Sequence, residues 1–236
     1  NVGVDYRNTY GNFFRPEFDL SPTDQQVNLN EFNDLTENRG EILSTNIEPT
    51  INYKNNFGKH DIDVLLGGAR QQTDNNSLIV NAEGLPSNSI TNIAGFADNI
   101  LFSAGGRDLS RIFSVFGRVN YKFDDKYLFS AIVRRDASSK FSSDNNSIVL
   151  PAFSGGWVIS NEDWWPTDSF INTLKLRAGN GELALQNIPS YSFQSVLNPT
   201  SNASFNDTTA GGFAIVSLVD ENISFETAES TSIGID

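Results

Sequence analysis

The sequence predicts an all-β fold: about eight antiparallel strands of the kind that cross an outer membrane as part of a β-barrel wall. Three observations carry this reading. The stretch from Arg111 to Asp136 alternates apolar and polar side chains, turns once, and alternates again. Aromatic side chains bracket that turn. Along the whole chain, long polar connections alternate with shorter ones, as the outer loops and inner turns of such barrels do.

The first strand has Val2, Val4 and Tyr6 alternating with Gly3, Asp5 and Arg7, because successive strand residues point to opposite faces. Tyr10 to Gly40 is turn-rich and acidic, with Pro16, Pro22, Glu17, Asp19, Asp24, Glu31, Asp34 and Glu37 against Arg15 and Arg39, and reads as a long surface loop. In the second strand Leu43, Thr45, Ile47, Ile51 and Tyr53 alternate with Ser44, Asn46, Glu48, Asn52 and Lys54. Pro49 lies on its apolar side and removes a ladder donor, which predicts an irregularity there. A short turn at Asn55 to Lys59 leads to a third strand, where Ile62, Val64 and Leu66 oppose Asp61, Asp63, Gly67 and Ala69. A second long loop is expected from Thr73 to Ser110.

The central hairpin follows. Phe113, Val115, Val119, Tyr121 and Phe123 share one face of the fourth strand, and Ser114, Arg118, Asn120 and Lys122 the other. Asp124 and Asp125 make the turn. Tyr127, Phe129, Ala131 and Val133 continue the apolar face on the fifth strand, while Ser130, Arg134 and Asp136 continue the polar one. Phe116 and Ile132 are exceptions on the polar side. Each arm has roughly the 9 to 11 residues a tilted strand needs to cross hydrocarbon.

After a loop from Ala137 to Ser147, Phe153, Trp157 and Ile159 mark a sixth strand. Asn161 to Asn172 is a connection containing Trp164, Trp165 and Pro166. In the seventh strand Leu174, Leu176 and Ala178 alternate with Lys175, Arg177 and Gly179. Glu182 to Thr227 is long and acidic without one Lys or Arg, and a local strand is expected at Phe213 to Val219. The eighth strand sets Ile233 and Ile235 against Ser232, Gly234 and Asp236. Alternation alone suits a soluble sheet equally well. The membrane reading rests on Tyr121, Phe123 and Tyr127, placed like an aromatic girdle, and on the sorting of loops, long after strands one, three, five and seven.

Composition narrows the function classes. With 236 residues, 38% hydrophobic and 19% charged, the chain has the makings of a folded domain. No apolar run reaches the roughly 18 residues of a transmembrane helix, which leaves barrel strands open. The absence of cysteine excludes disulfides and thiolate metal sites. A net charge of −13 argues against binding nucleic acid. The chain starts inside a strand pattern without an initiating Met or a signal segment and stops inside another, so a segment of a longer protein is expected.

No catalytic constellation is found. His60 is the single histidine and is read as turn chemistry. Asp61 and Asp63 stand two apart on a polar strand face, where lining a wet surface is the plainer role than acid–base or metal work. The Gly-Gly pairs at Gly67, Gly105, Gly155 and Gly211 lack a phosphate-loop motif and are expected to mark bulges, bends or loops. Trp164 and Trp165 read as interface anchors. Neither enzyme activity nor a cofactor or metal is expected.

Several stretches resemble a known family. Phe116-Gly117-Arg118-Val119-Asn120-Tyr121, Asp125-Lys126-Tyr127-Leu128, and Arg134-Arg135-Asp136 with Ser138-Ser139-Lys140-Phe141 are similar to a barrel hairpin of the SusC/RagA-type TonB-dependent outer-membrane transporters. Gly156-Trp157-Val158-Ile159-Ser160 with Glu162-Asp163, and Leu174-Lys175-Leu176-Arg177-Ala178, resemble its next strands. Phe225-Glu226-Thr227 with Ile233-Gly234-Ile235-Asp236, and Gly58-Lys59-His60 with Leu65-Leu66-Gly67, fit a later strand and an earlier hairpin.

The resemblance implies that residues 1–236 belong to a 22-stranded barrel, with the plug domain and TonB box outside them. It further implies a Gram-negative outer-membrane location in contact with lipid, a SusD-type surface lipoprotein and the TonB complex as partners, and import of oligosaccharides or, second, peptides. On that reading Arg118, Asn120, Arg134, Asp136 and Arg177 line the lumen. Phe113, Val115, Val119, Tyr121, Phe129 and Val133 face lipid, and Tyr10, Phe13, Phe14 and Tyr191 offer outer-loop ligand contacts. The alternatives are a self-contained eight-stranded membrane barrel with a structural or adhesive role and a soluble β-sandwich binding module.

Overall fold

The computed structural model describes residues 1–19, 29–93, 99–166, 170–205, 208–215 and 219–236. Among them the strands are β1 (Val2–Arg15), β2 (Phe18–Asp19), β3 (Leu29–Asn30), β4 (Asp34–Ile47), β5 (Thr50–Phe57), β6 (His60–Glu83), β7 (Asn99–Phe123), β8 (Tyr127–Ser138), β9 (Ser147–Val158), β10 (Lys175–Leu185), β11 (Leu197–Phe205), β12 (Thr208–Ile215) and β13 (Glu226–Ile235). A single 3₁₀ turn, Ile159–Asn161, is the helical element among the described residues. Nine strands belong to one sheet, and β2–β3 and β11–β12 form two-stranded ribbons. The eight expected strands are all present. The ninth arises where Pro49 interrupts the second, so that β4 ends at Ile47 and β5 begins at Thr50.

The chain divides into two compact units. One comprises Asn1–Val2, Asn46–Gln71 and Ser110–Asp236, the other Gly3–Thr45 and Gln72–Leu109. In the first unit the ladders run β5–β6–β7–β8–β9–β10–β13. Antiparallel pairing sets Tyr121 opposite Phe129, Asn120 opposite Ser130 and Ser114 opposite Asp136. Because the register holds without slip from Phe123↔Tyr127 to Ile112↔Ser138, most apolar positions of one face meet apolar partners, Phe123 with Tyr127, Tyr121 with Phe129, Val119 with Ala131 and Phe113 with Ala137, while Val115 meets Arg135. The next ladder continues the pattern, with Phe129 opposite Gly155 and Ser130 opposite Ser154.

Among the described residues no second layer of the unit covers the apolar face. Phe113, Val115, Phe129 and Val133 retain 56%, 53%, 49% and 48% of their surface, against which an ordinary sheet packed on a core would bury them. Among the described residues of this unit the buried apolar side chains are few, namely Phe141, Leu150 and Ile159.

The second unit contains β1, β4, the later part of β6 and the earlier part of β7. Here strands run where composition predicted loops: β1 continues to Arg15, β4 starts at Asp34, β6 reaches Glu83 and β7 begins at Asn99. These segments carry Asn, Asp, Ser and Thr on both faces, which erases the apolar alternation while leaving the backbone free to pair. Side chains add to the ladders: Arg107 grips both oxygens of Asp74, Nε at 2.9 Å and Nη2 at 2.5 Å. Asn81 donates to Thr36 Oγ1 at 2.7 Å. The buried Asn33 carboxamide donates to the Leu85 carbonyl at 3.0 Å and accepts from its N–H at 2.6 Å, satisfying a polar group that burial would otherwise penalise.

Two further expectations are revised. The strand expected at Phe213 to Val219 lies earlier, in β12, which ends at Ile215, and residues 216–218 fall outside the described residues, as do 20–28 of the first predicted loop and 94–98 of the second. The four Gly-Gly pairs sit within strands rather than in loops. At two of them the missing side chain makes room for a neighbour. A Cβ on Gly67 would lie 2.5 Å from the Phe116 ring, and one on Gly156 would lie 3.3 Å from the Lys175 side chain.

Candidate functional site

The polar face of the first unit is built by register. Charged and hydrogen-bonding residues of β7 and β8 alternate with the apolar ones, so pairing gathers them on the opposite side of the same ladder. The Ser130 hydroxyl donates to Asn120 Oδ1 at 2.7 Å. Arg134 donates from Nε to both oxygens of Asp136, at 2.7 and 3.0 Å, and from Nη2 to the buried Ser114 hydroxyl at 3.0 Å. Its guanidinium also lies 5.6 Å from the centre of the Phe116 ring, which explains an aromatic residue on a polar face. Arg177 pairs with Asp236 at 3.1 Å. Arg118 keeps a buried Nε, and Asp63 a buried Oδ1, with no hydrogen-bond partner among the described residues. Of the expected lumen residues, the ladder therefore brings Asn120, Arg134 and Asp136 into bonded pairs.

At the turn end, three connections are tied together. Asp124 and Asp125 take left-handed backbone angles, φ 52° and 54°, and the Lys126 N–H closes the turn on the Phe123 carbonyl at 3.0 Å. Two consecutive positive φ values suit the right-handed twist of a hairpin, and Asp tolerates them better than most side chains. The Asp124 N–H donates to the Lys59 carbonyl at 2.7 Å and the Val158 N–H to the Lys126 carbonyl at 2.7 Å. The buried Lys126 ammonium lies 3.2 Å from Asp163, 3.4 Å from Glu162 and 3.7 Å from Asp124. Glu162 Oε1 accepts from the Tyr127 hydroxyl at 2.7 Å and from Trp157 Nε1 at 2.9 Å.

These contacts set the charge states. The hydrogen bond from Lys59 holds the Asp124 carboxyl below the usual carboxylate range. Tyr127 and then Trp157, donating to it, hold Glu162 low as well. The hydrogen bond to Asp163, with Glu162 next, pushes Lys126 up.

Around this cluster stands a band of rings. His60 Nδ1 lies 2.7 Å from the Tyr121 hydroxyl and its ring 4.9 Å from Phe123. Trp157 and Trp164 rings are 6.5 Å apart, and Trp164 and Trp165 6.2 Å. The structure thus places His60 at the start of β6, in partnership with Tyr121, rather than within a turn.

At the other end, the connection after β8 is clasped to the long segment after β10. Phe141 is 3% exposed and its ring centre lies 4.4 Å from that of Phe225. Lys140 donates to the Gln186 and Ile188 carbonyls at 3.3 and 2.8 Å, and the Ser142 hydroxyl to the Glu221 carbonyl at 3.0 Å. Tyr191 sits in that segment with φ 63°. Tyr10, Phe13 and Phe14, expected in a loop, lie on β1 instead, where alternation sends Phe13 to the face opposite Tyr10 and Phe14.

The TonB-dependent receptor P26 of Formosa agariphila is 30% identical over 238 residues, covering 94% of this chain and 24% of the relative. The TonB-dependent receptor SusC of Bacteroides thetaiotaomicron is 33% identical over 146 residues, 62% of this chain and 14% of the relative. The solved structure of the RagAB peptide transporter matches 99% of this chain and 25% of its own, with a TM-score of 0.83 and 22% sequence identity. The chain belongs to the SusC/RagA-type TonB-dependent receptors. No family model matches it. This receptor segment spans about a quarter or less of the length of the relatives it matches.

Sequence reasoning missed two parts of the receptor segment. The Lys126–Glu162 cluster joins residues far apart in the chain, and a charged Lys beside a turn gives no hint of burial. The Phe141–Phe225 contact links two predicted loops, in which isolated aromatics carry no period.

Proposed function

We propose that this chain is wall and outer-loop sequence of an outer-membrane TonB-dependent transporter that imports oligosaccharides. The observation that supports it best is the division of the β7–β8–β9 ladders into an uncovered apolar face and a hydrogen-bonded charged face. On this reading Phe113, Val115, Val119, Tyr121, Phe129 and Val133 face lipid, and Tyr121 also bonds His60. Arg118, Asn120, Arg134, Asp136 and Arg177 line the lumen. The turn-end rings stand at the periplasmic surface of the bilayer. A SusD-type lipoprotein over the outer loops and the TonB complex are the partners. On this reading the chain has a transport role and not a catalytic one.

Peptide import is the second reading, supported by the likeness in fold to the RagAB peptide transporter. The test is uptake of fluorescent oligosaccharides and of labelled peptides by cells with and without the full-length receptor. Receptor-dependent glycan uptake that stops when the proton gradient is collapsed is expected. A receptor that fractionates as a soluble protein, or one without effect on uptake of either cargo, overturns the proposal.

A further inference from the structure

A cavity of about 300 Å³ opens in the first unit, lined in part by Glu48, Gln71, Arg134, Asp136, Gln186 and Phe225. Its polar wall is preorganised, since Arg134 is held by Asp136 and Ser114. Its apolar wall is held too, because Phe225 rests against the buried Phe141. The side-chain oxygen of Gln186 is buried in the same region without a hydrogen-bond partner among the described residues. A buried acceptor left unpaired is costly, so a ligand that brings a donor to it gains what the free protein lacks.

We infer that this cavity is a subsite for a neutral sugar ring. The inference rests on the transport reading above and assigns that cargo a place. A sugar hydroxyl both donates and accepts, which matches a lining that mixes acceptors (Glu48, Asp136, the Gln186 oxygen) with donors (the Gln71 amide and Arg134). The C–H face of the ring suits the flat side of Phe225. Two carboxylates against one guanidinium repel an anionic substituent, so uronates and sulfated sugars are disfavoured. A few polar groups converging beside an aromatic wall in a small concavity is the usual make-up of a small-molecule site.

The test uses the full-length receptor in detergent, titrated calorimetrically with neutral hexasaccharides (α- and β-linked glucans, a mannan and a galactan), an acidic hexasaccharide and a hexapeptide mixture. Gln186→Leu removes the acceptor at similar size, and Phe225→Leu removes the flat face while filling the space. Each is expected to weaken binding of a neutral hexasaccharide at least ten-fold, with the heat-modifiable band of the folded barrel retained on gels. If the parent binds neutral hexasaccharides and both folded variants bind them equally well, the subsite is wrong while the transport reading stands. Binding of only acidic sugars or only peptides by the parent overturns the subsite. Loss of the heat-modifiable band in one variant shifts the decision to the other.

Discussion

Gly67 and Phe116 illustrate how single residues are chosen on an open sheet. The ring occupies the space a side chain at position 67 would need, with Arg134 beside it, so glycine is required by its neighbour and not by its backbone angles. Gly67→Val is expected to displace the ring and cost about 1–3 kcal/mol, read as a lower unfolding midpoint of the full-length barrel, while Phe116→Ala in the same background recovers part of the loss.

The turn-end charges give a second prediction. Asp124 and Glu162 are held below their ordinary range, so their contribution is present above the unfolded carboxylate value and fades as pH falls through the depressed folded values. Lys126 is raised, so its contribution is complete below the unfolded lysine value and fades as pH climbs through the raised one. Thermal unfolding of the full-length receptor is expected to hold a plateau from about pH 5 to pH 10 and to fall on both sides. In Lys126→Met the alkaline fall that this lysine causes disappears.

Among elements, the hairpin β7–β8 and the clasp after β8 behave differently. The hairpin is local: its turn closes on itself through Phe123 and Lys126, and each arm supplies the other's partners. The clasp joins Lys140, Phe141 and Ser142 to a segment more than forty residues away, through Gln186, Ile188, Glu221 and Phe225. Phe141→Ala empties a buried site, a change that costs about 3–5 kcal/mol in well-packed interiors. Because that contact anchors a loop, the expected result is faster amide exchange across residues 186–197 and 219–225, with the β8–β9 ladder unaffected. Equal exchange in both proteins argues against the clasp.

For the molecule as a whole, the decisive property is that, among the described residues, nothing of the first unit covers the apolar side chains of its sheet. In water, monomeric proteins ordinarily keep such a contiguous apolar face covered. In a bilayer it is the favoured outer surface, with backbone groups satisfied by the ladders. Val119→Arg, placed near the middle of its arm, is expected to destabilise the membrane-inserted barrel by about 2–4 kcal/mol if it lies at the bilayer midplane, measured by denaturant unfolding in lipid vesicles. Asn120→Arg, on the other face, is expected to cost only about 1 kcal/mol, that of the hydrogen bond from Ser130, and so serves as its control.

Alternation of side chains was enough to read the eight strands, the faces of the central hairpin and the break at Pro49, because strand geometry maps neighbouring residues to opposite sides whatever the rest of the fold does. It could not reveal the strand residues that run up to Arg15, from Asp34, up to Glu83 and from Asn99, where polar and apolar residues are mixed on both faces and only backbone pairing marks them. Nor could it find the buried Lys126, the Phe141–Phe225 clasp, or the cavity beside Gln186, each assembled from residues far apart in the chain. Local pattern is a property of neighbours in sequence. Burial and partnership are properties of neighbours in space, and only the paired ladders bring those together.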